Sequence, residues 1–242
     1  LTHHMDGIVR GGAALVALSQ TDIHKQIIRA KAAQVYSFSK GGSQQTYPSS
    51  QMGSIALLRQ ALYDQKYYQA NQTNLPFSVS LSEWQTLQTL PTFFKSEDKW
   101  EILRAQKIAN EFKSSFIYVG SGNEYAIADI LSAAKVKLVL PLTFPDAYDV
   151  NDPYLAKEIP LSDLKHWELA PSNAQLLNKA GIPIAFTTFG LKNAEQFWAA
   201  LRKTISRGLP SQDAFAALTT NPASWLGLEQ QIGTLEAGKW AS

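Results

Sequence analysis

Few residues in this chain can do chemistry near neutral pH. There are four histidines, His3, His4, His24 and His166, and no cysteine, which excludes disulfides, thiolate zinc sites and thiol nucleophiles. His3 and His4 are adjacent, and adjacent side chains on a strand point to opposite faces, so at most one can join a given site. His24 follows Asp22 in a polar segment, and His166 precedes Trp167 in a helical stretch. Asp146, Asp149 and Asp152 share one loop and could face a hard cation. Calcium loops also need a glycine turn and a distal bidentate carboxylate, so the three read as a solvated loop. Gly120-Ser121-Gly122 lacks the third glycine of a dinucleotide loop and reads as a strand-to-helix turn. No Walker loop, GxSxG elbow or HExxH occurs.

The elements that must position these residues belong to a globular chain. Hydrophobic residues are 45% and charged residues 17% of its 242 positions, too apolar for disorder and enough for one large core. A net charge of +2 gives no field suited to nucleic acid or a membrane surface, and no apolar run is long enough to span a bilayer. The chain starts at Leu1 without an initiator Met or leader and ends in mid-pattern at Ser242, so it is expected to be part of a longer polypeptide. The lack of cysteine is compatible with export without showing it, and the compartment stays open.

Periodicity places the elements. Gly7 to Ser19 reads as two short buried strands around a glycine turn, and Ala33 to Phe38 as a third apolar piece. Ile55, Leu58, Ala61, Leu62 and Gln65 predict a helix over 50–69 capped by Ser49 or Ser50. Ser82 is expected to cap a short helix through Leu90, and Ser96 a helix over 97–113 with a stripe of Trp100, Leu103, Ile108 with Ala109, and Phe112. Strands are expected over 91–94, 116–119, 136–140 and 182–187. Helices are expected over 125–134, 171–180, 193–206 and 211–218, with an irregular loop before Pro171. The six tryptophans are expected to fill the core or the space between helices and strands. Apolar strands alternating with helices predict an α/β fold with a parallel sheet covered on both faces, either a closed barrel or an open doubly wound sheet.

Longer motifs narrow this. Ala216-Ala-Leu-Thr-Thr-Asn-Pro-Ala-Ser-Trp-Leu-Gly-Leu228, followed by Ile232-Gly-Thr-Leu-Glu-Ala-Gly-Lys239, resembles the C-terminal signature of the amidohydrolase superfamily, in its imidazolonepropionase-like branch. Gln51-Met52-Gly53 through Arg59 and Ala61, Ile102 to Phe112, Glu124-Tyr125 with Ala128-Asp129, and Ala180 to Thr187 look like further family elements. The resemblance runs from about Gly7 to Lys239 and favours the barrel. It implies a partial parallel (β/α)8 TIM-type barrel lacking its N-terminal strand or strands. Residues 1–242 would then be a single amidohydrolase-like barrel segment, with 230–242 starting a return strand to a missing β-sandwich.

That family uses a divalent metal to acidify a bound water and polarise a carbonyl. Its usual ligands are an HxH pair on strand one, a histidine on each of strands five and six, and an aspartate on strand eight. Carried onto this chain, the last three positions fall on Lys95, Gly120 and Phe189, and the first pair has no counterpart. No histidine lies between His24 and His166. Glu124, just past the sixth strand, could serve as a carboxylate ligand or acid with Lys95 as partner. Its other reading is a carboxylate favoured at the start of a helix.

Three functions follow as expectations. The first is a degenerate amidohydrolase-like domain of a larger protein, without its own metal site or cofactor, serving as scaffold or binding region. The second is a metal-dependent hydrolase of non-peptide carbon–nitrogen bonds whose zinc or other divalent metal site is completed outside this chain. The third is a sugar- or peptide-binding module using Trp84, Trp100 and nearby tyrosines. The expected partners are the rest of the parent polypeptide and, through exposed sheet edges, other copies of the chain.

Overall fold

A computed structural model describes residues 1–18, 22 and 26–240, so His24 lies outside the described residues. The chain divides into two compact units, Leu1–Tyr118 and Val119–Ser242, and the fold is mixed α/β.

The first unit starts with β1 (Thr2–His3), β2 (Val9–Val16) and β3 (Ile27–Ser37). Helices α1 (Gln51–Ala70) and α2 (Val79–Leu87) lead to β4 (Thr92–Lys95). Helix α3 (Lys99–Glu111) then precedes β5 (Phe116–Val119), whose last residue opens the second unit. The strand order is β1-β2-β3-β4-β5. The parallel expectation holds for β3 with β4, where Tyr36 pairs with Phe94 and Ser37 with Lys95. It fails for β1, β2 and β3, which pair antiparallel. Residues 17–26 are too short a connection for the crossover that a parallel pair requires. The two strands expected in 7–19 are one strand, because the glycine turn is a bulge: the ladder shifts register at Gly11, which takes φ +77°.

Helix α1 starts where expected, with the Ser50 hydroxyl accepting the Gly53 amide at 3.2 Å, and it buries Leu58, Leu62, Gln65 and Tyr68 on one stripe. The other two caps differ from the expectation. Ser78 caps α2 by accepting the Leu81 amide, four residues before Ser82, and Asp98 rather than Ser96 caps α3, accepting the Glu101 amide at 2.8 Å. The α3 stripe buries Ile108, Ala109 and the capping Phe112 as expected, but its first turns bury Glu101, Ile102 and Ala105 instead of Trp100 and Leu103, which leaves Trp100 half-exposed. The core of this unit is aromatic: Phe94 packs edge-on to Phe38 at 4.7 Å and stacks on Phe116 at 6.0 Å.

The second unit contains a 3₁₀ turn (Glu124–Ile127), α4 (Ala128–Ala133), β6 (Lys137–Pro141), α5 (Pro153–Glu158) and α6 (Leu161–Leu169). After another 3₁₀ turn (Ala170–Ser172) come α7 (Asn173–Lys179), β7 (Ile184–Thr187), α8 (Glu195–Ser206), α9 (Ser211–Leu218) and α10 (Thr220–Trp225). Strands β6 and β7 are parallel, with Leu138 opposite Ile184 and Leu140 opposite Phe186. The expected irregular loop holds α5, and the helical stretch expected around His166 and Trp167 is α6; neither helix buries a residue, so no apolar stripe marks them. The Asn-Pro motif lies inside α10, where Asn221 donates its side-chain amide to the Ile184 carbonyl of β7 at 2.8 Å. Over Gly233–Lys239, within the expected return strand, the chain forms a set of turns. The Lys239 and Trp240 amides donate back to Glu236 and Gln231, which leaves no ladder there. No described helix is long and apolar enough to cross a membrane.

Candidate functional site

In a sheet with parallel strands, side chains at the C-terminal strand ends are the ones offered to ligands. Lys95 closes β4 beside Ser37 of β3, whose hydroxyl donates to the Lys95 carbonyl at 3.0 Å. Burial, and then the Arg10 guanidinium, hold the Lys95 ammonium below the usual lysine range, while Glu97 opposes them. Gly120 follows β5 and donates its amide to Val139 of β6 at 2.9 Å. Phe189 follows β7, with its ring half-exposed and its amide donating to the Thr187 hydroxyl at 3.2 Å.

Glu124 is fully buried, and its carboxylate is held by groups of its own unit. Oε1 accepts the Ser121 amide at 2.5 Å, the Gly122 amide at 3.1 Å and the Ser121 hydroxyl at 3.2 Å. Oε2 accepts the Gly122 amide at 3.1 Å and the Asn173 side-chain amide at 2.8 Å. Asn173 in turn accepts the Tyr125 amide through its Oδ1 at 2.8 Å, tying the start of α7 to the 3₁₀ turn. The turn therefore wraps around one carboxylate, and that carboxylate lies against Gly120. A Cβ built on Gly120 would meet Glu124 Oε1 at 2.6 Å and Cδ at 2.7 Å.

Taken one at a time, the three positions onto which the resemblance carries a ligand do not suit a divalent metal. Lysine brings a positive charge, glycine no ligand atom and phenylalanine neither ligand nor proton shuttle. The space that a histidine at 120 would need is filled by Glu124. Among the described residues, no group of three or more histidine, aspartate or glutamate side chains is arranged to hold a metal ion.

The remaining candidates are held locally. His3 Nδ1 contacts the His4 carbonyl at 2.6 Å, and His166 stacks on Tyr125 with Nδ1 3.2 Å from its hydroxyl. Asp152 caps α5 and Asp149 bonds to Asn151, which suits a structured loop. Trp84 and Trp225 are buried as expected, whereas Trp100, Trp167, Trp198 and Trp240 are exposed to a third or more. Trp84 donates its indole N–H to Gln34 and Tyr36 inside the core and offers no open face for stacking.

Two buried charges went unread in the sequence. Arg10 lies in the apolar run of β2, and a charge inside such a run is itself a signal. Glu101, buried where Trp100 is expected at the start of the α3 stripe, lines an open cleft of about 480 Å³ with Phe38, Pro48, Ser50 and Glu97.

No protein-family model matches the chain, and no curated protein matches it significantly. Among solved structures, an amidohydrolase from Thermotoga maritima MSB8 matches with a TM-score of 0.75 at 21% identity, over 97% of this chain and 62% of that one. The chain shares that protein's fold and spans about six-tenths of its length. A prolidase complexed with N-methylphosphonate-L-proline matches at a TM-score of 0.47 and 13% identity, over 88% of this chain and 60% of that one. Another amidohydrolase matches at 0.45 and 16%, over 65% and 38%. At these two scores the likeness carries no argument.

Proposed function

We propose that the chain is an amidohydrolase-fold domain of a larger protein that has no metal site of its own and works as a scaffold or binding region. The observation that supports this best is the packing of Glu124 on Gly120: the sixth-strand ligand position has no side chain, and its space is taken by a carboxylate committed to a turn. Lys95 and Phe189 at the other two carried-over positions point the same way, because neither suits a divalent cation. The framing contacts persist beside this loss, as in the bond from Asn221 to β7. Fold-supporting residues answer to packing and strand-end residues to chemistry, so the two sets can part company. In this reading Glu124 organises the turn after β5, and the partner is the remainder of the parent polypeptide. Elemental analysis after exposure to zinc tests the reading, and the protein is expected to leave desalting without stoichiometric metal.

A further inference from the structure

Helices α5 and α6 bury no residue, yet they carry large apolar side chains. Tyr154 is 79% exposed and Leu161 66%, and Leu155, Leu164 and Trp167 on the same two helices are exposed to a third or more. Helices of six and nine residues are marginal in water, and proteins hold such helices by packing an apolar face. Single apolar residues scattered over a surface are ordinary. Five on two short helices that cover nothing mark an interaction surface.

The inner side of α6 is fixed by His166, which stacks on Tyr125. Leu161, Leu164 and Trp167 recur every third residue, so helix periodicity sets them on another side. The charges of the two helices say what can cover that side. Lys157, Glu158, Asp163 and Lys165 are all exposed, two of each sign, while Glu168 is paired with Arg207 at 2.6 Å. Faces that meet a membrane surface or nucleic acid are rich in lysine and arginine, and this one is balanced. A balanced face meets an identical face without net like-charge repulsion, which is what a twofold self-contact requires. The strands offer less to a second copy. Strand β1 is two residues long, and the Ile184 carbonyl of β7 already accepts the Asn221 side chain.

We propose that the α5–α6 face docks on the same face of a second copy of this chain, forming a twofold dimer. The tyrosine, leucine and tryptophan side chains of the two copies cover one another, and the lysines of each copy meet the carboxylates of the other. A contact between identical patches closes on itself, so association stops at two chains. The proposal does not depend on the metal-free reading, since no residue of the face lies at a carried-over ligand position.

The test is sedimentation equilibrium of the 242-residue protein from micromolar to near-millimolar concentration at pH 7. The mass is expected to rise from one chain to two and no further. Tyr154→Glu and Leu161→Glu should each raise the dissociation constant about tenfold or more, as loss of an interface anchor does. Lys165→Glu leaves the face acidic and should also weaken the dimer, with added salt recovering part of the loss. Phe215→Glu makes the same kind of change at an exposed residue of α9 and should leave the dimer as it is. All four residues are exposed, so the variants should keep the fold, which a thermal melt of each verifies. A monomer at every concentration overturns the proposal. So does a dimer that survives both Tyr154→Glu and Leu161→Glu, or one that Phe215→Glu weakens equally. If Thr2→Pro on β1 abolishes association while the α5–α6 variants leave it intact, copies pair through a strand edge and the proposed face is wrong.

Discussion

Gly120 and Glu124 exclude one another's alternatives: the glycine leaves room for the carboxylate, and the carboxylate leaves no room for any side chain at 120. The Cβ of even an alanine would lie 2.6 Å from Glu124 Oε1, well inside contact distance. The carboxylate cannot easily give way, because it is bound by Ser121, Gly122 and Asn173. A position where the resemblance would place a metal-binding histidine is thus built into the packing of a turn.

Gly120→Ala should therefore destabilise the protein by about 1–3 kcal/mol, as overpacking does in a well-packed site. In a Glu124→Ala background the same change should cost far less, giving a coupling of about 0.5–3 kcal/mol in a double-mutant cycle. Urea unfolding of the four proteins measures this. Strictly additive effects would mean that the two residues do not share space.

Glu124→Ala alone should cost about 3 kcal/mol, because it strands the buried donors of Ser121, Gly122 and Asn173. Asn173→Ala should cost less, since it leaves the Ser121 and Gly122 amides their carboxylate and deprives only the Tyr125 amide of its acceptor. Thermal melts of the two variants give the order, and an equal loss would argue against the carboxylate as the organiser of the turn.

Much of this frame was legible in advance, and the limits are physical. The strand at 116–119 and the helix starting at Gln51 show because their buried residues recur at the strand and helix periods. Helix α5 buries nothing and so leaves no stripe to read, and α6, which also buries nothing, shows only as a helical stretch around His166. Strand direction is absent from a hydrophobic pattern, which is why the antiparallel pairing of β1–β3 does not show beside the expectation of a parallel sheet. Lys95, Gly120 and Phe189 were located by resemblance to a family motif. The contact of Glu124 with Gly120 depends on how Ser121-Gly122 turns, and spacing alone does not specify that.

Gln65 is fully buried on α1, and neither atom of its side-chain amide has a hydrogen-bond partner. Replacing it with leucine, of similar size and apolar, should raise stability by about 1 kcal/mol. Urea midpoints decide the matter, and a destabilised Gln65→Leu would show that the amide is satisfied in solution.

Glu101 should give the protein a distinct pH dependence. Burial raises its carboxyl above the usual range, against the lowering effect of bonds from the Glu97 amide at 2.7 Å and the Gln51 side chain at 2.6 Å. The folded state then holds the proton more tightly than the unfolded chain does. Stability contributed by this group is present at low pH and is lost as pH rises from about 4.5 through the raised value. Unfolding free energies across that window should show the fall for the parent, and Glu101→Gln should show less of it. Equal slopes would place the carboxyl in water.

The most direct test of the central claim is the metal content of the purified protein by elemental mass spectrometry, after incubation with zinc and thorough desalting. The account predicts no stoichiometric metal, and the same trace content in Glu124→Gln and His166→Ala as in the parent. Near one zinc per chain, lost in either variant, would contradict it and make hydrolysis the activity to assay.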